Sequence, residues 1–180
     1  MTVEELIPQM TEAHKAYAEA IGALSETDFI YAAEGKWSAG MQTAHLVTSV
    51  TALKPAFKMP RFALKQMFGT ANRPSRDYDG LVGRYKEKLA MGGKASTKYV
   101  PDEVAYSKKD SLLKEITDAV EHLNKKLSGW SEENLDKYIL PHPLLGKITI
   151  REMIYFSIYH VQHHQEIIFR ELKLRDGAES

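Results

Sequence analysis

The sequence predicts an all-α protein, a four-helix bundle with extended connections between its helices. Three observations lead there. Apolar residues recur at helical spacing through four stretches, at about 3–24, 38–52, 107–128 and 149–172. No run alternates apolar and polar residues in the way a half-buried strand requires. Most glycines and prolines lie outside the four stretches, Pro8, Gly22 and Gly40 being the exceptions. At 180 residues the chain is expected to form a single domain, 1–180, with a substantial core.

In the first stretch Leu6, Met10, His14, Tyr17 and Ile21 fall on one stripe, and residues 25–28 read as a short link. Ser38 is a natural N-cap for the second helix, which should end before Pro55. Residues 58–80 are less regular. A short helix is expected over 60–68, with Phe62, Leu64, Met67 and Phe68 as its apolar contacts, and a turn-rich loop from 69. This 59–80 segment is expected to cover the bundle, with a mobile lid over a pocket as the functional alternative. Helix should resume over 78–91.

Ser107 and Asp110 read as a capping box for the helix carrying Leu112, Leu113, Ile116, Val120, Leu123 and Leu127. One helical turn is expected at 131–135. Pro141, Pro143 and Gly146 make 140–146 a rigid connector. Thr149 and Glu152 form a capping box for the last helix, whose apolar stripe runs from Ile150 through Ile154, Ile158, Val161 and Ile168 to Leu172.

Composition narrows the function. Acidic and basic side chains balance at 24 each, so no global field draws the chain to nucleic acid or an anionic membrane. With no cysteine, disulfides, thiolate metal sites and a cysteine nucleophile are excluded, leaving histidine and carboxylates as ligands. The amino terminus lacks the basic start and apolar run of a signal peptide, and no apolar stretch suffices to span a bilayer. A cytoplasmic location, with neither nucleic-acid nor membrane partners, is expected.

The chemistry concentrates in His160 and His164. Four residues apart on a helix, the two imidazoles share a face and can hold one ion between them. Chance alone supplies about 0.27 such pairs in a chain with seven histidines, so the pair needs a third ligand from elsewhere. His45 is the candidate, deep in the second helix with small or polar neighbours (Gln42, Ser49, Ala52) that leave open volume. His14 is expected to be packed and His122 to lie at the surface.

Trp37-Ser38 followed by His45-Leu46, together with the run from His142-Pro143 to His163-His164, resembles the DinB-like family of four-helix proteins, also called YfiT-like metal-dependent hydrolases. The resemblance implies a divalent-metal site, with Zn²⁺ or Ni²⁺ held by His45, His160 and His164. It places His163 outside the ligand set, in a supporting hydrogen bond or an interhelical contact. Some members are transferases that use a low-molecular-weight thiol as cosubstrate.

Three neutral imidazoles leave a dication electrophilic, so bound water or bound thiol would lose its proton near neutral pH. The expected function is therefore a metal-dependent hydrolase or thiol transferase acting on a small molecule. No general base can be assigned; Tyr159, Gln42 and Glu166 are the nearby candidates. The alternatives are a non-catalytic metal- or small-ligand-binding bundle and a homo-oligomeric interaction module, with a homodimer as the simplest assembly.

Overall fold

A computed structural model describes residues 1–178. Four long helices build the bundle: α1 (Val3–Gly22), α3 (Ala39–Thr51), α7 (Lys109–Leu127) and α9 (Ile150–Ala178). α1 and α3 each pack on both α7 and α9, so the four close around one core. The short helices α2 (Glu26–Ile30), α4 (Lys54–Lys58), α5 (Arg61–Phe68) and α8 (Glu132–Lys137) lie in the connections, and α6 (Tyr78–Ala90) packs on the outer side of α9. Strands β1 (Ile139–His142) and β2 (Gly146–Thr149) form an antiparallel hairpin leading into α9. Among the described residues no helix is long and apolar enough to cross a membrane.

The helix starts follow the side chains available to cap them. Thr2 and Glu5 bond reciprocally at the head of α1, as Thr149 and Glu152 do before α9. Ser38 Oγ accepts the Met41 amide at the head of α3. The stripe Leu6, Met10, Tyr17 and Ile21 is fully buried and meets Ile116, Leu123 and Leu127 of α7 in the same core. Each such aliphatic side chain contributes about 1.5–3 kcal/mol on burial. At the close approach of α2 to α3, a Cβ on Gly40 would lie 2.7 Å from the Phe29 ring.

Four expectations need correction. Ser107 caps nothing: it sits in a 3₁₀ turn (Tyr106–Lys108), and α7 begins at Lys109 without a side-chain cap. Lys109 instead turns back, its ammonium donating to the Gly22 and Leu24 carbonyls at 2.8 and 3.0 Å, where the C-terminus of α1 favours a cation. Helix α3 ends at Thr51, before Pro55 as expected, and Pro55 occupies the first turn of α4, where its missing N–H costs nothing. Residues 25–28 hold the start of α2, which Ser25 caps. Helix α9 continues past Leu172 to Ala178, and Arg175 ties that end to Asp28 at 2.8 Å.

The fourth correction is the 140–146 connector, which is the hairpin. Leu140 pairs with Ile148 and His142 with Gly146. Its four-residue strands are too short for alternation to show in the sequence. Gly146 supplies the turn with a left-handed φ of 72°.

The loop after α5 is pinned to the base of α9. Glu152 is fully buried and accepts from both guanidinium nitrogens of Arg73 at 2.8 and 2.9 Å and from the Arg76 amide at 2.8 Å. Burial opposes its ionisation, but those donors and the Thr149 amide outweigh it and hold the carboxyl below its ordinary range. The Ala71 amide bonds to the Lys137 carbonyl at 2.8 Å. This junction fixes where α9 starts, and so which turn of it faces α3.

Candidate metal centre

Helix α3 presents Gln42, His45 and Ser49 toward α9, and α9 presents His160 and His164 back toward them. All three histidines are buried. His45 Nε2 lies 3.2 Å from His160 Nε2, and His164 Nε2 lies 3.0 Å from the same atom. Among the described residues the three form one group with ligand atoms within 4.8 Å of one another, suited to holding a metal ion.

The outer ring nitrogens explain why these atoms converge. His45 Nδ1 is 2.7 Å from the Tyr99 carbonyl, and His164 Nδ1 is 2.7 Å from Gln42 Oε1. Both oxygens only accept, so in each ring the proton sits on Nδ1 and Nε2 carries a lone pair. The Gln42 amide is oriented in turn by its own donation to the Trp37 carbonyl at 3.2 Å. Two bare nitrogens therefore face His160 Nε2, which can donate to only one of them. A cation among the three satisfies all of them. At the ~2.0–2.1 Å Zn–N distance, ligand nitrogens of a tetrahedral site stand about 3.3 Å apart, close to the observed spacings. The residues fit the metal that the chemistry asks for.

Electrostatics agree. Burial pushes His160 and His164 well below the ordinary imidazole pKa, and the neighbouring imidazoles push them further. Burial lowers His45 as well, against the pull of the Tyr99 carbonyl. All three stay in the neutral form that binds metal. Phe156 stacks on the His160 ring at 4.5 Å, and Trp37 meets the His45 ring at 5.2 Å.

The triad lies at the wall of a cavity of about 380 Å³. Its lining is mostly apolar and includes Trp37, Met59, Phe68, Leu89, Leu144 and Phe156. Lys94 and Lys98, both exposed, stand at its rim, and no carboxylate lines it among the described residues. Of the 59–80 segment only Met59 and Phe68 reach the cavity, while Phe62 and Met67 are 73% and 60% exposed on α5.

The remaining candidates separate clearly. His163 lines the cavity, stacks on Tyr159 at 5.7 Å and meets Tyr85 of α6 at 6.0 Å, an interhelical contact. Tyr159 touches His163 rather than the triad's nitrogens, and Glu166 is exposed. His14 is packed as expected, its Nδ1 donating to the Met10 carbonyl at 2.8 Å. His122 departs from expectation: it is half-buried and its Nε2 is sealed without a partner.

Sequence reasoning missed the Tyr99 carbonyl, because a backbone acceptor in an irregular loop leaves no signal. It missed Tyr85, whose hydroxyl burial pushes up to about 12, and the cavity-facing ring of His142. A signal for His142 existed in its place between two prolines at a turn.

A family model, that of the DinB superfamily, matches residues 9–168, a span containing all three histidines, Gln42 and Tyr99. No curated protein matches the chain.

Proposed function

The chain belongs to the DinB superfamily, and from that premise we propose that it is a metal-dependent enzyme in which His45, His160 and His164 hold one divalent ion, Zn²⁺ or Ni²⁺. The observation that carries this is the convergence of three neutral Nε2 atoms at the wall of a 380 Å³ cavity, where an ion has room for an outside ligand. When bound, such an ion lowers the pKa of a coordinated water or thiol and polarises an electrophile.

The chain's own residues do the rest. Gln42 and the Tyr99 carbonyl hold two of the rings in the metal-binding tautomer. Phe156 and Trp37 pack against the imidazoles and keep water from their faces. The apolar walls bind the body of a small molecule, and Lys94 and Lys98 attract an anionic group at the rim.

Of the two reactions, transfer of a low-molecular-weight thiol to an electrophilic substrate is better supported than hydrolysis. Attack by metal-activated water commonly relies on a nearby carboxylate to take its proton, and the cavity offers none among the described residues. A thiol needs less help, since its pKa already starts near 8.5. The test offers metal-loaded protein a panel of small thiols with an aryl halide or epoxide acceptor, and a panel of activated esters alongside. Metal-dependent thiol consumption without ester cleavage is expected; ester cleavage alone would make the protein a hydrolase, and neither would favour a binding role.

The exposed Phe62 and Met67 on α5 support a second proposal, association into a homodimer through that face. Sedimentation velocity of the wild type and of Phe62→Ser tests it.

A further inference from the structure

His142 closes β1, and its ring makes two separate sets of contacts. Nδ1 lies 3.1 Å from the backbone nitrogens of both Leu144 and Leu145. Backbone N–H groups only donate, so Nδ1 carries a lone pair, the ring is neutral and its proton sits on Nε2. The hairpin turn thereby sets the tautomer. That leaves Nε2–H as a donor that cannot also accept.

The residue is 9% exposed and forms part of the cavity wall. Among the described residues nothing accepts from Nε2, yet the atom is not sealed from solvent. Its ring stands edge-on to Phe156 at 4.2 Å, and Phe156 stacks on His160. The free donor is thus one aromatic ring away from the proposed metal centre. The charged residues of the cavity are cationic, and no carboxylate is available there to accept the Nε2 proton. Nε2–H opens onto the cavity, so a ligand that displaces water from it leaves the donor unpaired unless the ligand brings an acceptor of its own.

We propose that His142 is a ligand-positioning residue whose Nε2–H donates to a carbonyl or carboxylate oxygen of an apolar small molecule held in the cavity. This rests on the cavity being the substrate pocket, and it names the substrate class: an apolar body bearing an sp² oxygen acceptor. The metal's identity does not enter.

His142→Asn separates the two roles. Its Oδ1 takes the place of Nδ1 and can still accept the two turn amides, while its amide nitrogen stops short of where Nε2 stood. The probes are benzoate and toluene, the same apolar ring with and without acceptor oxygens, titrated into metal-loaded full-length protein. Wild-type protein should show the His142 ring proton on Nε2 by ¹H–¹⁵N spectroscopy, and benzoate but not toluene should move that proton downfield. H142N should keep the wild-type melting temperature, bind benzoate about tenfold more weakly and leave toluene binding unchanged. A ring proton on Nδ1, or a benzoate affinity in H142N equal to wild type, would overturn the proposal while leaving the pocket intact. If neither probe disturbs the Trp37 indole signal, the substrate-pocket assignment falls and His142's role falls with it. The spectroscopic arm needs only wild-type protein, so poor folding of H142N leaves the proposal exposed to refutation.

Discussion

Gln42 Oε1 lies 2.7 Å from Nδ1 of His164, and this contact between the second and the last long helix decides which nitrogen of His164 faces the centre. Without an acceptor there, the imidazole could carry its proton on either nitrogen, and half the site's design would be left to chance. Gln42→Leu keeps the size and removes the acceptor. Metal affinity should fall about 10–100-fold, the usual loss when such a supporting partner is removed. Competition with a chromophoric chelator measures it; unchanged affinity would show that the tautomer needs no tether.

His14 makes the acid stability of the fold testable. Burial lowers its pKa to about 4, against a small opposing effect of the Met10 carbonyl. The unfolded chain, at about 6.5, therefore binds more protons than the folded one between those values. Stability contributed by neutral His14 is present above pH 6.5 and lost as pH falls toward 4, by up to about 3 kcal/mol. His14→Leu should be close to neutral at pH 7, since the buried Nε2 has no partner to lose and apolar packing offsets the lost Nδ1–H bond to Met10, and more stable than wild type at pH 4.5. Urea unfolding at both pH values reads the difference.

Glu152 anchors the 69–77 loop, and removing its charge should loosen that anchor. Glu152→Gln leaves Arg73 and Arg76 facing a neutral amide in a buried setting. The arginines are each about one-third exposed, which discounts the loss to roughly 2 kcal/mol. The melting temperature should drop and proteolysis between 69 and 77 should increase, with helical content preserved.

Metal removal should leave the bundle standing. Small metallodomains unfold without their ion because binding supplies most of their folding free energy. Here the apolar stripes of α1, α7 and α9 meet in one continuous buried cluster. Circular dichroism after chelation should show the helical signal retained at room temperature, with a lower melting temperature and no activity. Loss of most helix on stripping would mark a structural ion.

The legible parts of the molecule are those whose signals are local and periodic. His160 and His164 announce themselves by spacing, and the Thr149–Glu152 cap places the helix that carries them. The same periodicity gives the four long helices. His45 joins the pair only through tertiary packing, so spacing left it a candidate among lone histidines until the family resemblance ordered the set. The hairpin was hidden because four-residue strands with prolines resemble a stiff linker. The cavity was hidden because its walls come from α3, α4, α5, α6, α9, the hairpin and the 93–99 loop, and no window of sequence contains them together. Lys109 carries no signal in the sequence, because its carbonyl partners lie 87 and 85 residues away.

The central claim is that His45, His160 and His164 hold one ion. Elemental analysis of purified wild-type protein and of the His45→Ala, His160→Ala, His164→Ala and His163→Ala variants tests it most directly. One divalent ion per chain is predicted in the wild type and in H163A, and its loss in each of the other three. Full occupancy in all three ligand variants, or loss in H163A alone, would contradict it.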